Sequence, residues 1–313
     1  MKLNAVDFLA SMLSKTQRAA LNRYWEQLAG VAIILRRDKL AMVSLVILVG
    51  FTLMAVFAPY LAPYDPDTYH WESDDKENAL TLQPPSIDHP MGTTTQAKDV
   101  LSIWIFGSRV SILVGFASGF AVMIIGTTVG LVAGYYKGTL DLFLMRFVDI
   151  LYGIPATPFI LILSLFVGTS IWNVMFAMTL VLWRTMARVI RSQTLSLAER
   201  PFVKSAKAAG ASDFRIMYYH IVPNLLPLIA IETTIVVSWA ITLEAGVSFL
   251  GLGATELISW GSMLQLTFSS GAIRTAWWWV IPPGVAITLL VMAFFYLSRV
   301  VENITDPEVN TQQ

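Results

Sequence analysis

From Leu40 to Leu61 no residue is charged, and Leu, Val, Met, Phe and Ile dominate. At about 1.5 Å per helical residue, such a run crosses the roughly 30 Å hydrocarbon core of a bilayer. Five more apolar runs follow, at about 110–134, 142–167, 171–190, 225–249 and 278–297. In lipid a backbone must satisfy its own hydrogen bonds, so each run reads as a helix and the chain as an all-α, six-span membrane protein. The 313 residues alone would permit two soluble domains, but 56 % hydrophobic residues and a mean hydropathy of +0.64 exclude that class. Net charge is zero, which gives no basic field for nucleic acid, and without cysteine there is no disulfide, thiol catalysis or Cys-ligated metal.

Charge distribution sets orientation. Residues 1–39 are basic beside the first span, with Arg36, Arg37 and Lys39 against Asp38, which predicts a cytoplasmic amino-terminal arm. Leu21, Trp25, Leu28 and Ala32 recur there at helical spacing, as in an arm lying on a membrane surface. The arm lacks the apolar core of a signal peptide, so the run at 40–61 is expected to be a permanent span. Residues 62–108 are acidic and poor in bases, which places them outside. Their carboxylate cluster at Glu72–Glu77 has no calcium-loop frame and reads as solvated surface. Arg184, Arg188 and Arg191 line one face of the fourth span, where arginine can reach headgroups. Trp277, Trp278 and Trp279 read as an interfacial belt, and residues 300–313 as a cytoplasmic tail.

Within the core, 109–299, several polar or small residues stand out. Gly115, Gly119, Gly126, Gly130 and Gly134 fall within an arc of about 100° on the second span, a face suited to close helix packing. Arg146 and Asp149 are spaced for an ion pair within one helix. Pro155 and Pro158 break or kink the third span. Glu232 and Glu244 sit in the fifth; a carboxylate in a membrane helix is costly and marks a candidate functional position. Glu232, near the inner end, reads as structural, while Glu244, with Ser248 and Phe249, reads as a candidate pathway or gate.

Residues 192–224 form the largest polar interruption on the inner side. Pro201 suits the first turn of a helix and Gly210 a left-handed position just past its end. Ser212 can cap a second helix, which Pro223 is expected to stop. Ser205, Ala206, Ala208, Ala209 and Gly210 make the first helix small-sided, open to close approach by another surface.

This stretch resembles the cytoplasmic motif of ATP-binding-cassette importer permeases, which opens Glu, Ala, Ala, has a Gly four residues on, and closes with Leu, Pro. Here Lys204, Ser205 and Ala206 stand at the opening, Gly210 at the glycine, and Val222 and Pro223 at the close. Lys204 replaces the Glu. The words around Gly210–Asp213 and His220–Asn224 resemble the branch that imports dipeptides, oligopeptides and nickel. His89, Gly92, Thr93 and Asp99 match that family's outer signature, while Thr94, Ala97 and Lys98 depart from its Asp, Gly and Arg. Leu144–Asp149, the run Glu244–Gly253 and Ser259–Met263 also resemble family motifs.

The resemblance implies a type I importer permease (MetI-like) fold and an ATPase-coupling surface at Phe202, Lys204, Ser205, Ala206, Ala209, Gly210, Ala211, Asp213 and Pro223. It implies four kinds of neighbour: a homologous second permease, two ATP-binding-cassette ATPase subunits, an extracellular solute-binding protein and membrane lipid. The chain has no phosphate loop of its own, so it is expected to be no enzyme and to bind no cofactor, with ATP and Mg held by the partners. A multi-pass protein of a bacterial or archaeal cell membrane with both termini cytoplasmic follows. Oligosaccharide import within the same family is an alternative, and an ion-coupled carrier using Asp149, Glu232 or Glu244 is a rival without the internal repeat such carriers show.

Overall fold

In the computed structural model the described residues are 38–69, 80–254 and 257–305, without the side chains of 303–305. The basic arm, the carboxylate cluster at 72–77 and most of the tail lie outside them. The elements are α1 (Lys39–Val56), α2 (Ala58–Leu61), α3 (Val100–Tyr136), α4 (Gly138–Tyr152), α5 (Ala156–Val167), α6 (Ile171–Ala198), α7 (Pro201–Ala208) and α8 (Asp213–Ile216). A π turn (Met217–Ile221) leads into α9 (Val222–Phe249), followed by α10 (Trp260–Ser269), a 3-10 turn (Ala272–Arg274) and α11 (Trp277–Thr305). Among the described residues five helical stretches are long and apolar enough to cross a membrane, and α4 with α5, bent by 83° at the break between them, count as a sixth if the pair is one span.

The second span begins earlier than its apolar run. Asp99 caps α3 at Val100: its carboxylate accepts from Ser102 N at 2.8 Å and from Ser102 Oγ at 2.7 Å, and it meets His89 Nδ1 at 2.9 Å. A boundary near 109 therefore falls inside the helix, which at 37 residues extends about 55 Å and rises well beyond a bilayer core. His89 and Asp99 are both buried, so this pair works as a structural clasp.

The glycine face of α3 packs in two directions. A methyl group at Gly119 would lie 2.5 Å from Val237 of α9, and one at Gly130 would lie 2.5 Å from the Ala187 carbonyl of α6. In lipid such close approach replaces hydrophobic exclusion as the source of helix affinity. The glycines are thus internal packing, as their shared face predicts.

Three expectations are corrected. The tryptophan belt is corrected at two positions: Trp278 and Trp279 are buried, because residues 80–99 fold over them and Trp278 Nε1 donates to the Thr93 carbonyl at 3.4 Å. Arg146 does not take Asp149; Arg188 of α6 does, at 2.5 Å. Nor does the α6 arginine face turn to headgroups. Arg191 binds Asp141 through two nitrogens, one at 2.6 Å, and Arg184 donates to the carbonyls of Leu151 and Ile154, the latter at 3.2 Å. The two arginine corrections share a cause, the break at Gly153–Pro155, which lays α4 beside α6. Arg184 there supplies donors that the interrupted helix lacks.

Candidate functional site

The polar elbow between α6 and α9 is built from local signals. Arg200 is extended and Pro201 opens α7. At its end Gly210 is left-handed, with φ +80°, Ala211 N donates to the Ala206 carbonyl at 3.1 Å and Gly210 N to that of Lys207 at 3.0 Å. These paired bonds close the helix in a Schellman motif, which calls for glycine at that position. Ser212 Oγ then caps α8 by accepting from Arg215 N at 3.4 Å.

Pro223 does not stop the helix that follows. The π turn shifts the ladder, so Val222 N bonds five residues back to Met217, and Pro223 falls in the first turn of α9, where its missing donor costs nothing. Asn224 Nδ2 donates to the His220 carbonyl at 2.7 Å across the same join. One continuous rod thus joins the elbow to the fifth span, running from Asp213 to Phe249.

Val203 seats α7. It is buried in a cluster with Ile190 of α6 and Ile216, Ile221 and Leu225, with Ala206 and Ala211 packed at its edge. Polar ties fix the elbow to the corner between α3 and α4. Tyr135 Oη donates to Asp213 at 2.7 Å, and Glu199 is held by Lys137 on one side and by Lys204 at 3.0 Å on the other. The hydrogen bonds from Lys137 and then Lys204 lower the Glu199 carboxyl to about 2.

Of the residues named from sequence, Phe202, Lys204, Ser205, Ala209, Gly210 and Pro223 are exposed, and Ala206, Ala211 and Asp213 are half-buried. Those from Phe202 to Asp213 share the elbow, and Pro223 lies across the π turn. Three aromatics beside them were not singled out: Phe214, Tyr218 and Tyr219 are exposed, and Phe214 stacks on Tyr218 with centroids 6.0 Å apart. The spacing of four between Phe214 and Tyr218 was the available signal.

The candidate gate residues divide. Glu244 is 2 % exposed and inside the chain; its carboxylate accepts from Ser248 Oγ at 2.7 Å and, at 3.5 Å, from Ser111 Oγ of α3. Ser248 is buried with it, at a corner so close that a methyl on Gly261 would lie 2.5 Å from the Ala245 carbonyl. Phe249 alone of the three reaches the surface, against Phe268. Glu232 is half-buried in α9. Among the described residues no group of three or more His, Cys, Asp or Glu side chains could hold a metal ion.

Comparison with known proteins agrees with this architecture. The family model described as binding-protein-dependent transport system inner membrane component matches residues 126–311, and that of the N-terminal TM domain of oligopeptide transport permease C matches residues 27–85. A dipeptide transport system permease protein, DppC, of Alkalihalophilus pseudofirmus is 34 % identical over 278 residues, 88 % of each chain. An oligopeptide transport system permease protein, OppC, of Bacillus subtilis is 37 % identical over 230 residues, 73 % of each. Among solved structures, an inward-facing MetNI methionine ABC transporter has a chain that superposes with a TM-score of 0.54 at 19 % identity, over 65 % of this chain and 97 % of that one. That likeness is one of fold. The matches of sequence over most of the length, with the multi-pass helical architecture, assign the chain to the family of binding-protein-dependent transport system inner membrane components, to which it belongs.

Proposed function

We propose that the chain is one of two homologous permease subunits of an ATP-driven importer of peptides and forms half of the translocation path. Two ATP-binding-cassette subunits hold ATP and Mg on the cytoplasmic side, an extracellular solute-binding protein delivers the peptide, and both termini of this chain are cytoplasmic. The named relatives support the substrate class. The basic residues Lys137, Arg200, Lys204, Lys207 and Arg215 at one end of the bundle support the orientation.

The observation that carries the reading is the solvent-facing elbow, rigidly tied to three helices. A partner that moves α7 also moves α6 through Glu199, α3 through Lys137 and Tyr135, and α9 through the unbroken rod from Asp213. Two discrete positions of that unit give alternating access, provided the partner binds them with different free energies. Glu244 and Ser248 hold the α9–α10 corner that transmits the tilt, and Phe249 meets the path.

The test is uptake of a labelled dipeptide into proteoliposomes containing both permeases and both ATPase subunits, with the binding protein present. Accumulation should require ATP and persist when an uncoupler collapses ion gradients. Loss of uptake on uncoupling at constant ATP would instead identify an ion-coupled carrier.

A further inference from the structure

The charge on the elbow points to a particular kind of partner wall. At about 100° per residue, Lys204 and Lys207 lie about 60° apart on α7, clear of the seated edge at Val203 and Ala206, and Arg200 immediately precedes its first residue. All three are exposed, as is Arg215 beyond the turn. Both carboxylates of the elbow are already committed within the chain, Glu199 to Lys137 and Lys204, and Asp213 to Tyr135. Among the described residues Arg200, Lys207 and Arg215 form no ion pair, and Lys204 shares its acid with Lys137. The face offered outward is therefore cationic, with no free acid to accept a basic partner.

On the other flank of α7, Phe202, Ser205 and Ala209 follow one another at steps of three and four. They form a second stripe of one aromatic and two small side chains, and Phe202 is 41 % exposed. The two stripes divide the exposed surface of one short helix into a charged half and a closely approachable half.

Resting on the importer reading above, we propose that this chain's ATPase subunit receives α7 in a groove with one carboxylate-bearing wall, which faces Arg200, Lys204 and Lys207, and one shallow apolar wall, which faces Phe202, Ser205 and Ala209. Lys204, standing where related motifs carry an acid, selects an acidic groove and rejects a basic one. Like charges brought together at an interface are the usual means by which a wrong partner is refused.

The permease pair in nanodiscs of phosphatidylcholine is titrated with the ATPase subunits at low and high salt. The wild-type pair should bind more weakly as salt rises. K204E/K207E should raise Kd about tenfold or more at low salt and flatten the salt dependence, while K204R/K207R keeps the wild-type values. Among the described residues Lys207 touches no acid, so Lys207→Glu alone should move Kd in the same direction without disturbing the Lys204–Glu199 contact. Unchanged Kd and salt slope in the charge-reversed pair would overturn the proposal. So would a defect seen only when the nanodiscs contain anionic lipid, which would assign the stripe to the membrane surface. If the wild-type pair captures no ATPase subunit under any condition, the importer reading itself fails and this inference falls with it.

Discussion

Two small-residue surfaces in this chain have similar composition and opposite surroundings. On α3, Gly115, Gly119, Gly126, Gly130 and Gly134 are covered by α6 and α9, and a single methyl at Gly130 meets a backbone carbonyl at 2.5 Å. On α7 and its end, Ser205, Ala209 and Gly210 are open, and a methyl at Gly210 would meet nothing within 4 Å. Smallness on α3 serves contacts already made. On α7 it leaves room for a contact that the described residues do not make. Glycine at 210 is required locally, by φ +80°, whereas glycine at 130 is required by the neighbour alone.

The contrast can be broken most sharply at Gly130. Gly130→Leu forces α3 away from the Ala187 and Ile190 wall and should lower stability by about 3 kcal/mol or more, read as loss of folded protein on heating in detergent. Asp141→Asn leaves the Arg191 guanidinium without its counter-charge at a partly buried seam. About 2 kcal/mol should be lost, and a double-mutant cycle with Arg191→Gln should recover much of it as coupling.

At Gly210 the two requirements separate. Gly210→Ala imposes only the left-handed strain, about 1 kcal/mol, and should retain uptake. Gly210→Leu adds bulk where the chain itself has space, so it should still insert and fold but hydrolyse ATP without accumulating peptide. Normal accumulation by that variant would remove the elbow from the coupling route. The smallest effect sharpens the comparison from the other side: Ala97 is buried and left-handed, with φ +54°, where the resembled family has glycine. Ala97→Gly should stabilise the turn at residues 92–99 by up to about 1 kcal/mol, measured as slower hydrogen exchange of its amides.

Signals confined to a few neighbouring residues were legible in the sequence. Pro201, Gly210 and Ser212 each require a backbone state that their own side chains announce, and the elbow follows from them. The same local logic failed at Pro223. A π turn that ends two residues earlier moved the hydrogen-bond register, and nothing in the proline itself encodes that. The Arg146–Asp149 spacing was a sound local signal too, but Arg188, from another helix, holds the acid.

The sequence by itself determined the number and length of the apolar runs, the close-packing face of α3 and the turn chemistry of the elbow, because each depends on periodicity or on one residue's allowed dihedrals. Only the tertiary structure decided which carboxylate meets which arginine, that Trp278 and Trp279 lie beneath residues 80–99, and that Glu244 turns into a serine-lined interior. Those outcomes hinge on an 83° break and on helices distant in sequence coming within hydrogen-bond reach. Charge pairing over a few ångströms is settled by where the backbones finally lie, which residue type alone does not specify.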